Sequence, residues 1–362
     1  MSKRIIIIGH PLIAKENRMA FQGSDELEIH LIIPKYWRSE SLGHDYFFEN
    51  NSNDLFFHAL PLLGQGRNSF FIWLGLKDLI HKINPDLIYC WAEPWCLSTW
   101  QVGFLSQKLN IPKFFYTAEN KPKKLPWPFA SIQKSNFKSY SHCIAPTEMI
   151  QNQIQKVGFK GKVFTIPLWI RIRKKIQVQS GNPTLIYIGR LIPLKRVHLI
   201  IQAIPYLANF KLRIIGDGPE KYRLIKLTEE LKLQHCITFF GHIPNENLED
   251  YLKDASLLIL PTEENNKQAE QFGKAALEGV SLGIPVLASR TGNLLELSKI
   301  ISTLFAYDLD SHLQVANAIK EILKQYPNED ELETSRNWVL DNFSDSSVHK
   351  KMISAFSSVL AI

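Results

Sequence analysis

Cysteine is scarce in this chain, and the four present, Cys90, Cys96, Cys143 and Cys236, form neither a CxxC pair nor a disulfide framework. That spacing points to a reducing compartment, the cytoplasm, and excludes a small disulfide-stapled scaffold. Long apolar runs are also missing. The opening MSKRIIIIGHPL has a basic start and four isoleucines, but Gly9, His10 and Pro11 end the run well short of a signal or spanning segment. It reads as a first buried strand. No GxGxxG fingerprint follows that strand or any other, which disfavours a dinucleotide-dependent oxidoreductase. Among the histidines, His10, His142 and His242 stand at strand ends, yet no pair has metal-ligand spacing, and only His10 is kept as an acceptor-side candidate. No metal and no resident cofactor are expected.

The 362 residues exceed one ordinary core and suit two domains; 45% are apolar and 21% charged, as in a globular enzyme. The net charge of +7 is unevenly placed. The first 170 residues hold 19 Lys/Arg against 13 Asp/Glu, and Arg171, Arg173, Lys174 and Lys175 follow directly. A basic first half suits an acidic partner such as a lipid headgroup or phosphorylated acceptor, or is a solvated surface. No nucleic-acid reading motif accompanies it.

Short β-branched runs alternate with helix-period segments. Strands are expected at 4–8, 28–33, 55–60, 87–91, 113–117, 143–145 and 163–166, with helices at 69–82, 96–109 and 148–157. The second half repeats the pattern, with strands at 185–188, 212–215, 237–240, 257–260, 286–288 and 303–305 and helices at 199–207, 221–231, 272–282 and 313–323. The alternation predicts an α/β protein of two doubly wound domains. Their expected extents are 1–168 and 183–344, joined by a basic, aperiodic linker at 169–182. A final helix within 345–362 is expected to pack back on the first domain. Ligands in such sheets bind beyond the carboxyl ends of the strands, here in a cleft between domains.

The chemistry concentrates after the strand at 257–260. Pro261 ends it, a polar loop follows, and FGKAALEGVSLG starts a helix whose free N–H groups suit a phosphate or sugar hydroxyls. Glu278 lies inside an apolar run, where a carboxylate requires hydrogen-bond donors such as a ribose diol. Glu270 precedes the helix by a few residues. Physics alone leaves two readings: ligand contacts, or a solvated helix residue and a first-turn charge. Three other strand ends add context: Gly189 and Arg190 with Lys195 in GRLIPLK, a loop able to clamp a diphosphate; Gly216 and Asp217 in IGDGP; and FFGHIP, which contains Ile243.

Through GRLIPLKR, IGDGP, FFGHIP, and most specifically EQFGKAALEGVSLGIPVLAS with TGNLLEL, the sequence resembles family 4 glycosyltransferases of the GT-B fold, two Rossmann-like domains facing across a cleft. The resemblance implies retaining sugar transfer from a nucleoside-diphosphate sugar, without a bound metal, to a glycan or lipid-linked acceptor in polysaccharide or glycolipid biosynthesis. It assigns Arg190 and Lys195 to the diphosphate, Glu278 to the ribose and Glu270 to the transferred sugar. Ile243 would meet the base, Phe272, Gly273 and Lys274 the sugar and phosphates, and Gly9 the first domain's turn. Three positions depart from the family pattern. Glu119 stands where many members carry a histidine, Arg196 where glycine is frequent, and IPLWIR lacks an aspartate. The lost histidine keeps a second function class open, a non-catalytic nucleotide-sugar-binding or scaffold protein. The run from Lys121 to Lys138 interleaves basic and aromatic residues; it is either a peripheral docking face for the inner membrane surface or a Pro-rich loop packed on the sheet.

Overall fold

The computed structural model describes residues 2–23, 26–38, 45–48, 55–176, 183–244, 247–264 and 270–361. Contacts divide the chain into one unit of Met1–Trp169 with Asp345–Ile362 and a second of Ile170–Ser344.

The first unit is built on seven parallel strands in the order Lys162–Thr165, His142–Ala145, Lys113–Tyr116, Leu87–Cys90, Lys3–Ile8, Leu27–Pro34, Phe56–Leu60. Ile5, Ile6, Ile7 and Ile8 are all fully buried, because the central strand of a parallel sheet is covered on both faces. β-Branched side chains fit that pleated surface well. The chain starts on Lys3–Ile8 and then winds outward in both directions from it. The second unit has six parallel strands, Ile237–Gly241, Lys211–Ile215, Thr184–Ile188, Ala255–Leu260, Val286–Ser289, Leu304–Tyr307, with its first strand again central.

Four differences from the sequence expectations have local causes. The segment 69–82 is helical only from Leu76 to Ile83; before it, Ile72–Trp73 pairs with Leu62–Leu63, and the Gln101 amide bonds both backbone groups of Trp73 at 2.8 Å. Gly75, at φ +78°, is the break. A helix at Phe129–Ser139 occupies most of the basic-aromatic run, with Phe129 and Phe137 packed on the core and Trp127 projecting at 83% exposure. Glu329–Phe343 forms a helix behind an Asn328–Glu331 capping box. The expected linker is not a free tether over its described part. Residues 170–176 are fixed to the second unit: Ile176 donates its N–H to Leu282 O at 3.0 Å, and the Lys175 ammonium pairs with Glu329 and Glu333. The remainder, 177–182, and the donor-side loop 265–269 lie outside the described residues.

The helix Asp345–Leu360 belongs to the first unit. Val348, Met352, Ala355 and Phe356 are buried at helical spacing, and His349 Nδ1 lies 3.0 Å from Ala20 O. The Phe356 ring meets Tyr89 at 6.1 Å and Phe114 at 5.4 Å. Among the described residues, no helix is long and apolar enough to cross a membrane. Phe356→Ala should lower first-unit stability by about 3–5 kcal/mol through the cavity it leaves. Hydrogen exchange resolved by unit checks this: protection should fall across the first sheet and stay unchanged in the second.

Candidate functional site

In the second unit the strand order reverses at Thr184–Ile188, which lies between Lys211–Ile215 and Ala255–Leu260. At such a switch point the loops after adjacent strands diverge and leave a crevice. A cavity of about 100 Å³ lies there, lined by residues that include Tyr187, Gly189, Lys195, Thr262, Glu270 and Gly273. The backbone closes on itself tightly around it. Gly189 donates to Ile215 O at 3.0 Å, and Gly216 donates to Gly241 O at 2.8 Å. A Cβ on Gly216 would sit 1.8 Å from Gly189 O, at φ +143°, so no larger residue fits without moving both strand ends.

Lys195 and Glu270, 75 positions apart, meet in this cavity with Nζ to Oε2 at 2.9 Å, each side chain 22% exposed. The Lys195 ammonium also reaches Thr262 Oγ1 at 3.3 Å. Arg190 is exposed, and its guanidinium makes no hydrogen bond or ion pair among the described residues. The Glu270 segment is held from behind: its carbonyl accepts the N–H of Asn293 at 3.0 Å, and Asn293 Nδ2 donates to Phe272 O at 2.7 Å. Gly292 permits this, since a Cβ there would lie 2.1 Å from Glu270 O. The TGN turn therefore sets the height of the loop that carries Glu270.

Gly273, at φ +85°, caps the helix Lys274–Ser281, whose first-turn N–H groups point out of the helix start. The Phe272 ring is 6% exposed and packs on Phe343 at 5.6 Å, so that residue offers the site its backbone rather than its side chain. Glu278 sits in the same helix with its side chain 16% exposed, and its carboxylate faces Arg173 at 3.8 Å, beyond hydrogen-bond length. Arg173 was missed by the sequence reading because it lies in the basic run taken as linker. Its guanidinium is almost fully buried, 2% exposed, which a solvated tether would not produce. Asp217 accepts from Gly218 N–H at 2.8 Å and from Lys221 at 2.7 Å, contacts that hold its carboxyl below the usual range. Ile243 follows the strand Ile237–Gly241 and is partly buried. Arg196 stands where the family pattern frequently has glycine. It adopts φ +46°, the left-handed region that favours glycine, and its guanidinium is tied to Pro261 O, Ser289 Oγ and the Asp310 carboxylate.

In the first unit the switch point is at Lys3–Ile8. Gly9 is extended there, and a Cβ would meet Trp91 O at 2.8 Å; close packing alone requires glycine. His10 stacks on Trp37 at 4.5 Å and meets Phe71 edge-on at 5.6 Å. Burial pushes its imidazole down to about 4, and Nδ1 has no hydrogen-bond partner among the described residues, so it is neutral near pH 7. Glu119 lies 3.5 Å from Lys123, whose ammonium is also 4.8 Å over the Trp95 ring. Beside it is a carboxyl that the sequence reading did not single out as a site residue. Glu93 Oε1 accepts the Ala118 N–H at 2.9 Å, while Oε2 is buried without a partner. Burial first, and the nearby Glu119 charge second, raise Glu93 from 4.5 to about 7 against the bonds from Ala118 and Thr117.

Residues 170–338 match the family of glycosyl transferases group 1. The match falls within the second unit and includes Arg173. An uncharacterized glycosyltransferase of Methanocaldococcus jannaschii is 32% identical over 133 residues, 36% of this chain and 33% of that protein. The putative teichuronic acid biosynthesis glycosyltransferase TuaC of Bacillus subtilis is 26% identical over 272 residues, 68% and 62% of the two chains. The chain thus spans less than two thirds of the length of either relative. Anabaena HepE, solved in complex with UDP, superposes with a TM-score of 0.73 over 98% of this chain and 100% of that one, at 15% identity. The fold is GT-B, with a Rossmann-like parallel sheet in each unit.

Glu93 generates a pH prediction. Its folded value lies above the unfolded one, so the folded state holds an extra proton between pH 4.5 and about 7. First-unit stability should therefore fall as pH rises through that window, by about 3 kcal/mol in all. Glu93→Gln keeps the bond from Ala118 and should flatten the slope. Denaturant unfolding at pH 5 and pH 8 measures it, and an equal slope in both proteins would mean that Glu93 is ionised in the fold.

Proposed function

We propose that the protein is a glycosyltransferase that transfers a sugar from a nucleoside-diphosphate sugar to a glycan or lipid-linked acceptor. Retention of anomeric configuration, a hexose donor and a role in polysaccharide or glycolipid biosynthesis belong to the same reading. The observation that carries it is the Lys195–Glu270 pair in the switch-point cavity beside the start of the helix Lys274–Ser281, inside the region matched to group 1. The UDP complex of HepE and the name of TuaC support the donor and product classes, respectively.

In this reading Arg190, whose guanidinium makes no hydrogen bond or ion pair among the described residues, binds the donor diphosphate, and Lys195 shares its charge between that diphosphate and Glu270. As the bond to the leaving phosphate breaks, negative charge grows on its oxygen, and two fixed cations lower that cost. Glu270 orients the hydroxyls of the transferred sugar. Glu278, whose carboxylate makes no hydrogen bond among the described residues, accepts from the ribose diol, with Arg173 behind it holding the charge in place. Gly189, Gly216, Asp217 and Ile243 shape the strand ends, and backbone groups of Phe272, Gly273 and Lys274 meet sugar and phosphate. On the first unit, Glu119 is the acceptor-side residue and Gly9 the turn beside it. The protein's contribution is chiefly orientation and charge placement, and no resident metal takes part.

Thermal shift with UDP-, GDP- and ADP-sugars followed by donor hydrolysis is the test. Donor binding with slow hydrolysis is expected. Binding without turnover on any donor would leave a nucleotide-sugar-binding protein and sink the enzymatic reading. Glu278→Ala should weaken nucleotide affinity by about tenfold, near 1.4 kcal/mol, in calorimetry. Arg190→Ala with Lys195→Ala should reduce turnover far more than Lys123→Ala with Lys124→Ala.

A further inference from the structure

A second groove, of about 370 Å³, lies on the first unit between the helices Leu97–Leu105 and Phe129–Ser139. It includes Lys113, the first residue of the strand Lys113–Tyr116. Glu93 and Glu119 belong to the loops beyond the carboxyl ends of the strands, so the groove is at the opposite end of the sheet, about 13 Å away along a four-residue strand. It is separate from the chemistry assigned above.

Lys113 is the unusual member. The residue is only 7% exposed, and its ammonium makes no hydrogen bond or ion pair among the described residues. Desolvation lowers its affinity for a proton, and no carboxylate offsets that. A largely buried lysine whose ammonium reaches only the groove, with no counter-charge, is costly, and a methionine of similar volume would be cheaper there. The rest of the lining complements an anion on a larger body. Lys138 and the hydroxyl of exposed Ser135 stand on one wall. On the other, Trp100 and Phe104 stack at 5.3 Å and 16° yet remain 36% and 60% exposed. Gly103 lets the two helices approach between them, since a Cβ would come within 2.9 Å of Ser139 and Tyr140. Two cations and a hydroxyl suit phosphate oxygens, and an exposed aromatic face suits the flat side of a sugar ring or an acyl stem.

We propose that this groove binds a phosphate ester, with the phosphate between Lys113 and Lys138 and the esterified group against Trp100 and Phe104. The ester is either free in solution or a lipid headgroup, and the two are separated by the probe. Calorimetry with glucose 6-phosphate and with inorganic phosphate tests the soluble source. Co-sedimentation with phosphatidylcholine vesicles, with and without phosphatidylglycerol, tests the lipid source. Binding in either arm is expected, weakened at least tenfold by Lys113→Met and by Lys138→Ala, with the Met variant melting at a higher temperature than the parent. Trp100→Ala should weaken the ester while leaving inorganic phosphate unchanged. No binding in either arm, or wild-type affinity in Lys113→Met, overturns the proposal. If that variant fails to fold, the exposed Lys138→Ala decides in its place.

Discussion

Burial of the central strand of each sheet on both faces is the constraint from which the rest follows. Ile5 to Ile8 in one unit and Leu185 and Ile186 in the other are sealed from water, so those stretches have no room for chemistry. Polar function is displaced to the loops at the strand ends, and the reversal of strand order opens a crevice there. Glycine is selected at these ends by backbone contact: Gly216 against Gly189 and Gly292 against Glu270 are closer than any side chain permits. The site is consequently rigid where it is most crowded.

Its charges are arranged in two pairs of different character. Lys195 and Glu270 are in hydrogen-bond contact, so any anion that met the lysine would also change what the glutamate experiences. Arg173 and Glu278 are 3.8 Å apart, close enough for attraction and far enough for a hydroxyl to bond the carboxylate without displacing the arginine. Arg190 is exposed, and its guanidinium is in neither pair. A donor entering this cavity would gain most from the cation that is not already engaged.

Much of this was legible in the sequence, for physical reasons. Buried parallel strands are continuous apolar runs, so the alternation of strands and helices and the strand-end glycines could be read directly. Glu270, Lys195 and Gly273 were singled out by their positions after such strands, and the structure brings them together in one cavity. What could not be read depends on contacts distant in sequence. Arg173 looked like tether because its neighbours are basic, and only the Glu278 helix packed over it shows otherwise. Arg196 could be read only as a departure from a frequent glycine; that Pro261, Ser289 and Asp310 hold its guanidinium depends on residues far along the chain. Glu93 could be placed at a strand end, like Glu119, but its raised proton affinity arises from burial, which the sequence does not display. The helix at 76–83 was read too long because an apolar run as short as that before Gly75 does not distinguish a strand from a turn of helix.

The helix Asp345–Leu360 has a consequence for how the chain is made. The core around Tyr89 and Phe114 needs Phe356, which is synthesised after every residue of the second unit. The second sheet is contiguous in sequence and can close as soon as it emerges from the ribosome. The first sheet, although translated earlier, waits with an apolar face uncovered until the last turns of helix arrive. Order of synthesis and order of completion are therefore reversed, and the N-terminal strands are the part of the chain that most needs protection during biogenesis.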